Sequence, residues 1–243
     1  MAIERAAARA GISTALAGRE DHADVARSAE AVLLCVPDAA ISGAAQVTAE
    51  ADPAPRFIGH VSGAGGLDEL AAAERAGIGI FSLHPLQTIP DRESELAGAP
   101  CAIAARSDES LEFARALAGD LEMVPFELSE DARNAYHAAA SIASNFLVTL
   151  EESAVELLTR AGIPNGRSLL TPLVLRTAEN WATMGGEALT GPIARGDEGT
   201  VTRHLDALAR LDPDMLEAYR AIARRTRVLA TRPMQVSEAG AAG

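Results

Sequence analysis

The chain has 243 residues, of which 48% are hydrophobic and 23% charged, and this composition suits one large globular domain or two small ones. Its net charge of −13 and aromatic content of 3% argue against nucleic acid as a partner, because phosphate would be repelled and few rings could stack on bases. No apolar run is long enough to span a membrane and no secretory signal is recognisable, so we expect no membrane partner. Cys35 and Cys101 lie in strand-like apolar runs, which favours reduced core thiols in the cytoplasm.

Short apolar runs alternate with helix-forming segments through the first half of the chain. Strands are predicted at 12–17, 31–36, 57–60, 78–81, 102–105 and 123–126, with helices at 2–10, 39–50, 67–76 and 110–118. Residues 61–66 and 82–90 are expected to be loops, the second because two prolines keep it out of regular structure. This alternation predicts an α/β fold with a doubly wound, mostly parallel sheet.

Only helical patterns follow Phe126, so we predict an α/β domain at 1–127, an all-helical domain at 128–230 and a flexible tail at 231–243. The helical domain begins with one long helix at about 131–161, and further helices are predicted at 168–184, at 197–211 and from Pro213. A neutral polar stripe follows the long helix and consists of Asn134, His137, Ser141, Ser144 and Asn145. In so acidic a protein this stripe predicts the wall of a wet cavity; the alternative is a buried helix whose Ser and Asn side chains bond to neighbouring segments.

Ligands of such sheets lie beyond the carboxyl ends of the strands, where three segments of this chain are expected to converge. These segments are Pro37–Asp38, 60–66 and 82–87, and they contain small, proline or polar residues that let backbone approach a ligand. In the later stretch ALTGPIARGD, Arg195 is the one basic residue, and it is either a clamp for a carboxylate or phosphate or a member of an ion pair. The histidines are scattered without the spacing of a metal site, so no metal is expected.

A dinucleotide-binding fold opens with a strand and a G-x-G-x-x-G turn, and neither occurs in this chain. Roughly 15–20 residues, one strand and its turn, are therefore expected to be missing, which would leave a gap in the centre of the sheet. We expect a start codon placed too late rather than a natural loss. Cofactor affinity should then be poor, because the pyrophosphate lacks its principal N–H donors.

Five stretches carry a family resemblance: VLLCVPDAAI, GHVSGAGG, SLHPLQT, YHAAASIASNFLVTL and ALTGPIARGD. In this order, from about residue 29 to residue 230, they closely resemble a bacterial family that joins a Rossmann-like NAD(P)-binding domain to a helical domain of unknown function (2520). The family is similar to prephenate, ketopantoate, pyrroline-carboxylate and phosphogluconate-type dehydrogenases. The resemblance implies a Rossmann-like sheet, here without its first strand, and a homodimer. It also implies hydride transfer between NAD or NADP and a small carboxylate-bearing alcohol, ketone or imine.

The same resemblance implies roles for individual residues. His84 resembles the histidine that binds the hydroxyl group in prephenate dehydrogenases, and Ser141 and Asn145 lie where related reductases have Lys-x-x-x-Asn. Because the lysine is absent, His137 or His84 would have to supply the proton. Cofactor contacts are expected from Arg19, Val36, Pro37, Asp38, Ser62 and Gly63, and substrate contacts from His60, Thr190 and Arg195. The alternative is a relic of this fold that binds a metabolite or dimerises without redox chemistry.

Overall fold

One five-stranded sheet organises the first half of the chain. The computed structural model describes residues 2–18 and 21–231. The strands are Ala31–Leu34 (β1), Phe57–His60 (β2), Gly79–Pro85 (β3), Pro100–Ala105 (β4) and Val124–Glu127 (β5). They lie side by side in chain order, and all neighbours are parallel except β3 and β4. The mostly parallel α/β sheet expected from the sequence is therefore confirmed.

Helices cover both faces of this sheet. They are Ala2–Arg9 (α1), His22–Ala26 (α2), Asp38–Ala49 (α3), Ala71–Arg75 (α4), Asp108–Asp120 (α5) and Arg133–Ala143 (α6). On one face, α1 and α5 pack against strand residues such as Phe81 and Ile103. On the other, α3 and α4 pack against Ile58 and Ile80. Two apolar layers on one sheet are what a doubly wound fold requires, because its central strands are buried on both sides.

Three sequence predictions about the first half are wrong. Residues 12–18 are irregular, because this segment pairs with no strand among the described residues. The expected gap in the sheet is not seen: β1 lies at one edge and the five strands are continuous. His84 lies in a strand rather than a loop, because antiparallel pairing with β4 extends β3 as far as Pro85.

The long helix predicted at 131–161 is also divided. A 3₁₀ turn at Glu130–Ala132 leads into α6, and Asn145–Arg160 (α7) follows after a break at Ser144. Ser144 has φ −115° and ψ −70°, far from the helical values of about −63° and −42°. Ser and Asn side chains compete with the helix for backbone hydrogen bonds, which explains why the break falls in the run Ser144-Asn145.

The chain divides into two compact units, Met1–Asn145 and Phe146–Gly243. The first unit thus extends 18 residues beyond the boundary predicted at residue 127, since α6 bonds to the sheet through Arg133 and Tyr136. The second unit is helical, with Gly166–Met184 (α8), Glu198–Leu211 (α9) and Pro213–Ala230 (α10) after α7. The carboxylate of Asp197 caps α9 by accepting from the Thr200 N–H, as the sequence predicts. None of the helices in the described part of the chain is long and apolar enough to cross a membrane.

Candidate functional site

A buried histidine shapes the glycine-rich loop that follows β2. His60 is the last residue of β2, and its Nδ1 accepts a hydrogen bond from the Ser62 N–H at 3.2 Å. The ring proton must therefore lie on Nε2, which donates to the Gly66 carbonyl at 3.2 Å. The Ser62 hydroxyl oxygen in turn accepts from the N–H groups of Ala64 and Gly65. Burial lowers the pKa of His60, so the ring is neutral and braces the loop from inside.

An ion pair ties the start of α6 to both this loop and β3. Arg133, only 3% exposed, donates from Nη2 to the Ser82 hydroxyl at 2.9 Å. Its Nε and Nη2 also donate to Oε1 of Glu130, at 3.0 and 2.6 Å. The other oxygen of Glu130 accepts from the Leu67 N–H at 2.9 Å. Because both partners of Arg133 are anchored elsewhere, α6 is held in one position against the end of the sheet.

Two imidazoles and a phenol meet at the end of β3. Nδ1 of His84 lies 2.7 Å from the Tyr136 hydroxyl oxygen, and the two rings are perpendicular. The ring of His137 also lies near His84, with 6.5 Å between the centroids. Burial, reinforced by His137 and Arg133, lowers the pKa of His84 to about 4, while burial raises the pKa of Tyr136 to about 12. Both groups of the hydrogen-bonded pair are therefore uncharged at neutral pH.

The glycine loop lies directly against these imidazoles. A Cβ added to Gly63 would be 2.7 Å from Nε2 of His84 and 3.0 Å from Cδ2 of His137. Any side chain at this position would push the rings away, so the close approach requires glycine. His84, His137 and the Gly63 backbone thus form one cluster, which we call the imidazole cluster.

A cavity of about 310 Å³ adjoins the cluster at the carboxyl ends of β1, β2 and β3. His84 and Pro85 line it from β3, and Cys35 and Val61 from the segments after β1 and β2. The first residues of α1, Ala2 and Ile3, also line it, along with Gln87, Ile89, Asp91 and Arg92. An open space at the carboxyl ends of parallel strands beside a helix N-terminus is the usual position of a ligand in this class of sheet.

The other residues predicted for the site have varied positions. Val36 is half-buried after β1, and the exposed pair Pro37-Asp38 begins α3. The carboxylate of Asp38 lies close enough to oppose the effect of burial on the pKa of His60 and of His84, since its negative charge favours the protonated rings. Both nitrogens of the buried His60 ring are engaged within the loop, and this argues against the substrate contact expected of it.

Ser141 is half-buried one turn beyond His137 on α6, whereas Asn145 begins α7 after the break. Thr190 and Arg195 are exposed residues of the second unit, in the irregular segment before α9. Arg19 lies outside the described residues. The structure thus joins His84, His137, Ser62 and Gly63 in one neighbourhood, while the continuous polar stripe predicted through Asn145 is interrupted at Ser144.

Four residues of this neighbourhood were not predicted from the sequence: Ser82, Glu130, Arg133 and Tyr136. Glu130 and Arg133 have opposite charges at a helical spacing of three, and this pattern could have signalled a pair at the start of the helix. Tyr136 directly precedes His137 in the stretch that carries the family resemblance. The burial of Arg133 and the half-burial of Tyr136 could not be deduced, since they depend on contacts 51 and 52 residues away in the chain. Among residues 2–18 and 21–231, no group of three or more His, Cys, Asp or Glu side chains is placed to hold a metal ion.

Comparison with solved structures supports the fold. A Bacteroides fragilis protein, provisionally assigned as an NADP oxidoreductase, is similar over 93% of each chain, with 23% identity and a TM-score of 0.78. A Thermotoga maritima protein is similar over 83% of this chain and 79% of its own, with 23% identity and a TM-score of 0.72. A Myxococcus stipitatus imine reductase in complex with NADP⁺ has 14% identity over 92% of this chain and 89% of its own, with a TM-score of 0.62. The TM-scores establish a shared fold, and at these low identities they establish nothing beyond the fold. No curated protein matches the sequence.

Two family models match the sequence along most of its length. The Rossmann-like domain matches residues 3–85, which include β1 to β3 and the glycine loop. The domain of unknown function DUF2520 matches residues 99–226, more than half of the chain, including all of α6 and its imidazole. The family suggested by the sequence motifs is therefore confirmed: this chain belongs to the proteins that join a Rossmann-like domain to DUF2520.

Proposed function

We propose that this protein is an NAD(P)-dependent oxidoreductase that moves a hydride to or from a small carboxylate-bearing alcohol, ketone or imine. The observation that carries the proposal is the imidazole cluster beside a cavity at the carboxyl ends of β1 to β3. This is where sheets of this class bind their ligands, and it holds two groups suited to a hydroxyl or carbonyl substrate. Similarity in fold to a provisionally assigned NADP oxidoreductase and to an imine reductase with bound NADP⁺ supports the same class of reaction.

The residues around the cavity fit a dinucleotide in two respects. The first turn of α1 borders the cavity, so helix N–H groups and the positive end of the helix dipole are available to phosphate. Val36, Pro37 and the loop at Ser62-Gly63 offer small or neutral side chains at the strand ends, where backbone can approach a nucleotide. We assign these segments to the cofactor, which would supply or accept the hydride.

Within the cluster, we assign different roles to the two imidazoles. In the reduction of a ketone, a C–H bond forms at the carbonyl carbon, and the oxygen gains a proton to become a hydroxyl group. Since the pKa of His84 is about 4, its ring is neutral and serves to hold the substrate oxygen. His137, beside it on α6, gives the proton to that oxygen and takes it back in the reverse direction. Ser141 and Asn145 are candidates to orient the substrate.

Fluorescence titration with NADPH and NADH tests the proposal directly. We expect saturable binding of at least one of the two with a dissociation constant below about 1 mM. Turnover should then be sought with a panel of small 2-keto acids, hydroxy acids and cyclic imino acids. Absence of binding by both nucleotides at that concentration would refute the oxidoreductase proposal. Binding without turnover of any member of the panel would favour the non-catalytic metabolite-binding alternative.

We also propose that the helical unit forms a homodimer. Large apolar side chains are exposed along α7 and α8, and they include Phe146, Leu147, Val148 and Leu150 on α7 and Leu169, Leu173, Leu175, Trp181 and Met184 on α8. Surfaces this apolar are uncommon on monomers, and a second copy of the same helices would cover them symmetrically. Light scattering should give twice the chain mass of 25.2 kDa for the wild type and a monomer for Leu173→Glu. Thr202→Glu, at an exposed position on α9, is the control and should remain a dimer.

The cysteines are compatible with the cytoplasm that we propose as the protein's location. Cys35 and Cys101 are both free thiols. Burial raises the pKa of Cys35 to about 11 and of Cys101 to about 12, so neither is a reactive thiolate at neutral pH. Both therefore act as small apolar side chains, which agrees with a reducing compartment.

A further inference from the structure

The hydrogen bond between His84 and Tyr136 leaves the other ring nitrogen of His84 without a hydrogen-bonding partner among the described residues. Nδ1 faces the Tyr136 hydroxyl at 2.7 Å, while Nε2 lies beside Gly63 in a ring that lines the cavity. A neutral imidazole carries a single proton, on one nitrogen or the other. Whether Nε2 is a donor or an acceptor is therefore decided by the direction of the bond with Tyr136.

Packing holds the phenol of Tyr136 in place for this bond. Its ring contacts His84 edge-on, and it makes a second edge contact with Phe126 of β5, with centroids 6.0 Å apart. A phenol hydroxyl is a strong donor and a weak acceptor, because its oxygen lone pair is shared with the ring. The imidazole nitrogen without a proton is the stronger acceptor of the two. The bond should therefore run from the Tyr136 hydroxyl to Nδ1 of His84.

We propose that Tyr136 is a positioning residue that keeps the proton of His84 on Nε2, so that this N–H donates a hydrogen bond to the reacting atom of the substrate. The chemical role of Nε2 rests on the oxidoreductase function proposed above, whereas the tautomer does not. A neutral N–H donor requires an acceptor, so the site should select a substrate whose reacting atom carries a lone pair. In the reducing direction that atom is a carbonyl oxygen or an imine nitrogen. A protonated iminium ion has no such lone pair and would be a poor ligand for His84.

A second pair of the same kind provides a matched control. In the helical unit, Nδ1 of His204 lies 2.8 Å from the Tyr219 hydroxyl, again with perpendicular rings. His204 is exposed, and the pair lies in the other compact unit. Tyr219→Phe therefore removes the same kind of hydroxyl group as Tyr136→Phe, from a pair that includes no residue of the imidazole cluster.

The test is the tautomeric state of His84, read from long-range ¹H–¹⁵N correlations of the histidine-labelled full chain at about pH 7. In the wild type we expect the His84 proton on Nε2. Tyr136→Phe should shift the signals to those of a mixture of the two tautomers, and Tyr219→Phe should leave them as in the wild type. A wild-type proton on Nδ1, or a Tyr136→Phe spectrum identical to that of the wild type, would overturn the proposal.

The measurement separates this proposal from the proposed function. The wild-type spectrum decides the tautomer even if Tyr136→Phe does not fold, and neither cofactor nor substrate is needed. Failure of nucleotide binding with the tautomer as expected would remove the oxidoreductase function and keep the role of Tyr136. Nucleotide binding and turnover with the proton on Nδ1 would support the oxidoreductase function and remove the proposed role of Tyr136.

Discussion

His84 should make the stability of the first unit depend on pH, and His84→Gln should remove that dependence. Its pKa is about 4 in the folded protein against 6.5 for an unperturbed imidazole. Between these values the unfolded chain binds a proton that the folded chain does not, so stability falls as the pH falls. From about pH 7 to about pH 4.5, linkage gives a loss of about 2 kcal/mol from this group, and the loss reaches about 3 kcal/mol once the pH passes below about 4.

Urea unfolding of the wild type and of His84→Gln at both pH values measures this loss. Strand amides of β2 to β4 should be followed by NMR, because they report on the first unit separately from the helical unit. The carboxylates and the other histidines are present in both proteins, so most of their contribution cancels in the difference between the two. The free energy of unfolding should fall by about 2 kcal/mol more in the wild type than in the variant.

His204→Gln serves as the matched control for this experiment. It deletes an imidazole that is also bonded to a tyrosine hydroxyl, but from an exposed position in the other unit. The pH dependence of the first unit should then be that of the wild type. An equal loss in the wild type and in His84→Gln would show that burial does not perturb this imidazole, and would refute the assignment of a neutral His84.

Three further predictions concern the same neighbourhood. Gly63→Ala should displace both imidazoles and lower turnover at least about 10-fold. The control is Gly43→Ala, in open space on α3, which should raise the free energy of unfolding by about 0.5–1 kcal/mol. NMR spectra in which Gly63→Ala leaves the chemical shifts of both rings unchanged would contradict the close approach. Arg133→Met should lower the free energy of unfolding by about 1–3 kcal/mol in urea melts, because it leaves the buried Ser82 hydroxyl and the exposed Glu130 carboxylate without their partner. A loss below about 0.5 kcal/mol would contradict this. In an active preparation, His137→Ala and His84→Ala should each reduce kcat about 100-fold, while the dissociation constant for the nucleotide changes less than about threefold. A loss of nucleotide affinity as large as the loss of kcat would argue against roles in the chemical step.

Local patterns predicted the elements whose structure is decided locally. The apolar run at 57–60 is a strand as expected, and Asp197 and Pro213 begin helices where capping chemistry places them. The convergence of the glycine loop with His84 followed from a general property of parallel sheets rather than from any motif. These features need only neighbours in sequence, or a rule common to the whole fold class.

The features that were missed depend on distant partners. His84 belongs to a strand because residues 101–105 of β4 pair with residues 81–85 in the antiparallel direction. No pattern near His84 in the sequence indicates this pairing. Arg133 was overlooked because a charged residue is usually exposed, yet here its buried guanidinium donates to Ser82 and Glu130. The break at Ser144 separates α6, which bonds to the sheet, from α7, and helical periodicity continues unchanged across it.

The reversed direction of β4 also divides the sheet into two regions that can change independently in evolution. Because β4 is antiparallel to β3, its carboxyl end at Ala105 pairs with Phe81, near the start of β3 and away from His84. The connection from β4 to α5 therefore lies at the far end of the sheet from the imidazole cluster. Insertions or charge changes in that connection should accumulate between homologues without altering chemistry, while the loops after β1, β2 and β3 diverge only with the substrate.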